Sequence, residues 1–299
     1  METKKYLVLS TSSYGYQLYD EENKQTSYHE FRRKISFQDK KILIGDFVTL
    51  DDSGFIDGII DRKNQLSRPR LSNVDRVYVL VSLTQPEFSS YLLDKFLSLI
   101  EFSSIPAGII LTKVDLLKAR ELNKLKKRIE WYTKIGYPVY FVNAHDESKY
   151  DFPKLKEDVS GKTVAFVGQT GVGKSSLMNS LDENFSRKVD ALYVMSGRGR
   201  HTTKEVVLLP YKNGFLFDTP GFSALELTEM KSKDLAYCFP GFSKFYGECY
   251  FSDCLHKRES KGCKVLEAVD NEQLCLESYE NYLKILDEVK ENDKWKKKI

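Results

Sequence analysis

The chain has 299 residues, 41% of them apolar and 13% aromatic, enough to bury a sizeable core in two or three domains. No run approaches the ~18 apolar residues of a membrane span, and the polar start METKKY lacks the apolar stretch of a signal peptide; the cytoplasm is the expected compartment. The formal net charge of +3 is too small to imply a nucleic-acid partner by itself. Basic clusters do occur outside the central region, at Arg32, Arg33 and Lys34, at Arg62, Lys63, Arg68 and Arg70, and at Lys294, Lys296, Lys297 and Lys298. Solvated surface charge explains many such clusters, so they count only in company.

In chain order, residues 4 to about 66 alternate short β-like runs (KYLVLS, KKILIGDFVTL, GFIDGII) with turn signals and show no helical period. They predict an all-β unit within residues 1–67, a five-stranded barrel, followed by SRPR at Ser67 to Arg70 as a linker. From Arg76 the pattern changes to apolar strands separated by amphipathic helices: VYVLVSL, a helix near 89–102, GIILT, a helix near 116–134, PVYFVNA and TVAFVG. This alternation predicts a parallel sheet covered on both faces, within a domain spanning 68–227. Lys174 to Leu181 starts a helix, and EVVLLP and FLFDTPG, joined around Asn213 and Gly214, predict an antiparallel hairpin at the sheet edge. Beyond Leu227 a Gly-, aromatic- and Cys-rich segment leads into a helical tail from about Val265 to Trp295, giving a third domain with C-terminal helices over 228–299.

The segment Gly168, Gln169, Thr170, Gly171, Val172, Gly173, Lys174 and Ser175, continued by Ser176, satisfies G-x-x-x-x-G-K-[ST] between an apolar strand and a helix. Its glycines let backbone N–H groups wrap phosphates, Lys174 reaches the β and γ oxygens, Ser175 binds Mg²⁺, and the helix N-terminus adds positive potential. Asp218 to Gly221 (DTPG) ends the next strand, where Asp218 can hold Mg²⁺ through water and the Gly221 N–H can sense a γ-phosphate. Between them lies GRGRHTT, with Thr202 and Thr203 as alternative Mg²⁺ ligands.

TKVD at Thr112 to Asp115 ends an earlier apolar strand. Asp115 would accept from guanine N1–H and the exocyclic amine, a donor pair adenine lacks, so the nucleotide is GTP or GDP; the Lys113 stem covers the base, and Asn143-Ala144 offers a backbone N–H to O6. The guanine motif normally follows the phosphate loop, and here it precedes it, so the chain reads as circularly permuted. The pocket survives reordering because ligands sit at the carboxyl ends of the strands wherever those strands fall in the sequence. Farther on, Cys249-x4-Cys254-x-His256-x6-Cys263 is a donor set for one structural Zn²⁺, while Cys238 and Cys275 fall outside the spacing.

Together these motifs resemble the RsgA, or YjeQ, family of circularly permuted GTPases. The resemblance covers essentially the whole chain. It implies an OB-fold barrel, a permuted α/β P-loop GTPase domain and a small zinc domain, working as a cytoplasmic monomer without membrane contact, late in assembly of the small (30S) ribosomal subunit, with its 16S rRNA as partner. Three positions depart from the family pattern: Thr112 stands where Asn is usual, Lys204 where a third Thr often follows HTT, and Asn143 where Ser is commoner. Thr112 is expected to leave the pocket intact and weaken nucleotide affinity somewhat.

Many GTPases place a Gln after the DxxG glycine to orient water; this chain has Phe222, so unaided hydrolysis should be slow. The expectation is that a partner orders Arg198 to Thr203, with His201 positioning the water. A GTP-gated RNA-binding scaffold with incidental hydrolysis is the alternative, and a small-molecule phosphotransferase would explain neither the barrel nor the zinc cluster.

Overall fold

The computed structural model describes residues 4–12, 15–30, 41–67, 69–189, 206–219 and 227–296. The strands of the N-terminal part are β1 (Tyr6–Ser12), β2 (Gly15–Asp20), β3 (Gln25–His29), β4 (Phe47–Leu50) and β5 (Ile56–Ile59), then the short pair β6 (Gln65–Leu66) and β7 (Leu71–Ser72). The central part follows as β8 (Arg76–Ser82), α1 (Ser90–Phe102), β9 (Ala107–Thr112), α2 (Ala119–Lys134), β10 (Val139–Phe141), α3 (Phe152–Asp158), β11 (Thr163–Gly168), α4 (Lys174–Leu181), β12 (Val207–Tyr211) and β13 (Gly214–Asp218). Three helices follow in the C-terminal part: α5 (Ser232–Cys238), α6 (Lys264–Asp270) and α7 (Leu276–Lys296).

Two compact units result, one from Met1–Tyr78, Ala144–Val167 and Gly173–Gly221, the other from Val79–Asn143, Gly168–Val172 and Phe222–Ile299. In the first unit, alternating side chains bury Val8, Leu18, Val48 and Ile56 completely on one face of an antiparallel sheet ordered β3-β2-β1-β4-β5. The Ile56 N–H donates to Glu30 O at 3.0 Å, bringing β5 back to the end of β3, which is the closure expected of the five-stranded barrel. On either side of the Ser67 to Arg70 segment, β6 and β7 pair antiparallel, with Gln65 opposite Ser72 and Leu66 opposite Leu71. Burial of Leu66 and Leu71 holds that pair, and the fully buried Asp46 pins it, accepting from Arg62 Nε at 2.7 Å and Ser72 Oγ at 2.6 Å. A carboxylate this deep is tolerable because its guanidinium and hydroxyl partners replace lost water.

The same unit carries β11 and β13 in parallel, with β12 antiparallel to β13, in register from Val207↔Asp218 to Tyr211↔Gly214. This is the edge hairpin predicted around Asn213 and Gly214. The second unit holds β9 and β10 in parallel, with Phe141 opposite Leu111, so both strands end at the same level.

Two helix extents differ from expectation. The helix after TKVD starts at Ala119, because Lys113 is left-handed (φ 59°) and Val114–Leu116 closes a 3-10 turn first. The C-terminal tail is two helices, α6 and α7, because Glu272 also adopts a left-handed conformation (φ 56°), breaking the helical run at a polar Asp-Asn-Glu-Gln turn.

A buried polar cluster joins α1, α2 and α7. Asp94 is fully buried and accepts from Tyr132 Oη and Asn281 Nδ2, both at 2.8 Å. Around it, Ser90 Oγ donates to Glu277 at 2.5 Å, Arg128 Nε reaches Glu277 at 2.9 Å, and Lys95 pairs with Glu288 at 2.5 Å. Burial raises the Asp94 carboxyl from 3.8 to about 7, against the hydrogen bonds that lower it. A carboxyl raised in the folded state favours folding while protonated, so its contribution is full below pH 3.8 and is lost as pH rises to about 7. The loss amounts to about 4 kcal/mol at most. Asp94→Asn is therefore expected to flatten the fall in urea-unfolding free energy between pH 4 and pH 7; an unchanged pH slope would refute the assignment.

Candidate functional site

The loop from Gly168 to Ser175 has the backbone that phosphate wrapping needs, with Gly168, Gly171 and Gly173 at φ 155°, 83° and 96°. Gly168 is also required sterically: a Cβ there would lie 2.5 Å from Leu80 O. Val172 is buried and anchors the loop, while Thr170, Gly171, Ser175 and Ser176 are exposed on its rim. Gly173 caps α4, whose first turn directs free N–H groups and positive potential toward the loop.

Within the second unit, TKVD is bonded to this loop. Thr112, at the end of β9, donates through Oγ1 to Val172 O at 2.5 Å across a 60-residue separation. Lys113 Nζ donates to Gly171 O at 2.8 Å and also to Gln85 O. The left-handed Lys113 turns the chain so that Asp115, in the 3-10 turn, is exposed. Asn143 directly follows β10, where the Val142 N–H donates to Leu111 O at 2.8 Å, one residue before Thr112. Thr112 and Lys113 thus hold the Gly168 to Ser175 loop by its carbonyls. Sequence reasoning missed Gln85, whose main-chain oxygen takes one of the Lys113 protons; nothing in TQPEF marks it.

Within the first unit, Lys174 Nζ lies 3.9 Å from Asp218 Oδ1 and 3.3 Å from Thr219 Oγ1. Thr219 is buried and its hydroxyl donates to Phe166 O at 2.9 Å, tying the end of β13 to β11. Thr219 was also missed, although it sits inside DTPG; its side chain fixes the strand end from which Asp218 projects. Ala144 O accepts from Ser180 Oγ of α4 at 2.5 Å. Oxygen donors such as Ser175 and Asp218 beside a lysine suit Mg²⁺ and a phosphate oxygen together. His201, Thr202, Thr203 and Gly221 lie outside the described residues.

The second unit brings Cys249, Cys254, His256 and Cys263 together, with all four ligand atoms within 4.8 Å of one another. Cys249 Sγ is 3.9 Å from Cys263 Sγ and 3.7 Å from His256 Nδ1, and His256 Nδ1 is 3.4 Å from Cys263 Sγ. Tetrahedral Zn²⁺ with its usual bond lengths requires S–S edges of about 3.8 Å and S–N edges of about 3.6 Å, so the donor set fits that ion. The His256 and Lys264 N–H groups each point at a ligand sulfur, at 3.4 Å, as outer partners of thiolates do. His256 is left-handed (φ 49°), and α7 holds the loop: Tyr279 Oη donates to His256 O at 2.9 Å and Tyr282 Oη to Leu255 O at 2.7 Å. Cys238 is buried away from this set, and burial raises its thiol to about 12, the behaviour of a small apolar side chain.

Residues 59–228 match the family model described as RsgA GTPase. The chain is 40% identical over 259 residues to small ribosomal subunit biogenesis GTPase RsgA 2 of Oceanobacillus iheyensis, covering 85% of this chain and 87% of that one. It is similar to the crystal structure of YjeQ from Thermotoga maritima, with a TM-score of 0.80 and 32% identity over 96% of this chain and 98% of that one. A second solved structure, of YloQ, titled a circularly permuted GTPase, matches with a TM-score of 0.79 and 31% identity over 97% and 96% of the two chains.

Proposed function

The chain belongs to the RsgA GTPase family, and from that premise we propose how its residues bind and cleave GTP and which partner they serve. It is a GTP-hydrolysing enzyme of small ribosomal subunit biogenesis. The bonds from Thr112 and Lys113 to Val172 and Gly171 carry the site assignment, since they seat a guanine-reading loop on a phosphate loop despite the inverted order.

In this assignment Asp115 reads the guanine edge, Lys113 covers the base, and the 143–144 backbone takes O6. The N–H groups of Gly168 to Ser176 wrap the phosphates, and Lys174 neutralises charge growing on the β–γ bridge as water attacks the γ-phosphorus in line. The bond from phosphorus to the bridging oxygen breaks, leaving GDP, phosphate and a proton. Mg²⁺, held by Ser175, Asp218 and either Thr202 or Thr203, would supply further neutralisation of the phosphate oxygens. His201 is assigned to position the water once a partner orders its segment, and Gly221 to sense the γ-phosphate.

We assign domains at 1–67, 68–227 and 228–299, and take the partner to be the 16S rRNA of the small subunit, bound late in assembly by a cytoplasmic monomer in its GTP form and released after hydrolysis. The zinc segment supports an RNA partner: Tyr246 and Tyr250 are 72% and 81% exposed, each edge-packed on a second exposed aromatic, Tyr237 and Phe251. Exposed aromatics among lysines suit stacking on unpaired bases. GTP turnover is expected to rise at least tenfold on adding purified small subunits. Unchanged turnover would favour a GTP-gated scaffold, and equal subunit affinity with GDP and a non-hydrolysable GTP analogue would refute the release step.

A further inference from the structure

We propose that the second unit contains a binding pocket for a nucleotide, meaning an aromatic base carrying a phosphate, either within an RNA strand or free in solution, separate from the GTP site. A cavity of about 440 Å³ lies between α2 and the turns on either side of the metal cluster, within the size range of small-ligand sites. One helical face of α2 supplies Lys127, Trp131 and Lys134, spaced four and three residues apart; the opposite wall supplies Lys244, Phe245 and Glu272.

The chemistry of these walls is one-sided. Among the described residues Lys127 and Lys244 have no ion-pair partner, while Lys134 pairs only with the surface residue Glu130 at 3.3 Å. Three lysines and a single carboxylate line the cavity, so the complementary ligand is an anion. Two aromatic side chains call for a flat ring as well. A nucleotide combines both, and Glu272 can accept from an exocyclic amine. The wall is shaped around the indole: Gly241 is left-handed (φ 80°), and a Cβ there would come within 3.3 Å of Trp131 Cζ2.

Trp131 is itself the reporter, because the chain has two tryptophans and Trp295→Phe leaves one. In the full-length Trp295→Phe protein, AMP, CMP and a short A/C ribo-oligonucleotide are titrated against Trp131 emission; these bases lack the donor pair that Asp115 reads. Saturable quenching is expected, with affinity reduced at least tenfold by Lys127→Glu/Lys244→Glu and basal GTP turnover unchanged. For the oligonucleotide, the log–log salt slope should fall by about 1.4 when two phosphates are no longer neutralised. The milder Lys127→Gln/Lys244→Gln pair must give the same slope change, which guards against a misfolded charge-reversal variant. Quenching by the oligonucleotide alone identifies an RNA strand as the source, and quenching by AMP or CMP identifies a free nucleotide; either supports the pocket. No quenching, or quenching with unaltered affinity and slope in both variants, overturns it. Subunit-stimulated GTP turnover is measured separately, so the pocket can fail while the hydrolytic reading stands.

Discussion

Lys174→Ala is expected to lower GTP turnover ~10³-fold, roughly 4 kcal/mol of transition-state stabilisation. The side chain extends from the first residue of α4 to the end of β13, where its Nζ stands 3.9 Å from Asp218 and 3.3 Å from Thr219. It is largely enclosed, with 13% of its side chain exposed, so its charge acts through less solvent than a surface lysine's would. Charge on the transferring phosphoryl group increases on the way to the transition state, so kcat should fall more than KM rises. Lys174→Arg should not restore the rate, because a planar fork cannot occupy the position of a point charge that Thr219 and Asp218 hold at the strand end. Single-turnover measurement with radiolabelled GTP separates binding from cleavage; a rate within tenfold of the unaltered protein would remove Lys174 from the reaction.

The other large effect concerns the metal cluster. Cys263→Ala is expected to abolish stoichiometric zinc binding and unfold the surrounding segment, since metal binding supplies about 10–16 kcal/mol of apparent folding free energy in small zinc modules. The local core depends on the cluster's geometry: Cys263 is 2% exposed, and His256 packs edge-on against Phe242, with ring centroids 5.5 Å apart. Few periodic elements stabilise this stretch otherwise, which runs as turns from Gly247 to Gly262. Metal analysis and hydrogen exchange across residues 239–270 provide the check. One zinc per chain retained in Cys263→Ala, with exchange protection intact, would contradict it.

The glycine backbone of the Gly168 to Ser175 loop, the edge hairpin and the gathering of Cys249, Cys254, His256 and Cys263 were legible because each rests on short-range rules: glycines where positive φ is required, Asn213-Gly214 between apolar runs, and donors at a spacing one ion can span. The barrel was legible from its alternation, although its closure depends on Ile56 meeting Glu30, a pairing no local pattern announces. Asp94 was invisible. In YLLDKFLSLIEF it reads as a polar interruption of an apolar stripe, and its partner Asn281 lies 187 residues away. Gln85 and Thr219 were missed for a related reason, as one acts through a main-chain oxygen and the other by fastening two strands. The break at Glu272 depends on one residue in a left-handed conformation, which propensity places poorly for glutamate.

The hydroxyl of Thr112 and the ammonium of Lys113 grip their neighbour's backbone across space, with no help from the peptide path connecting them. Such a grip is indifferent to where a gene begins. The two loops therefore stay fastened whichever of them the polypeptide reaches first.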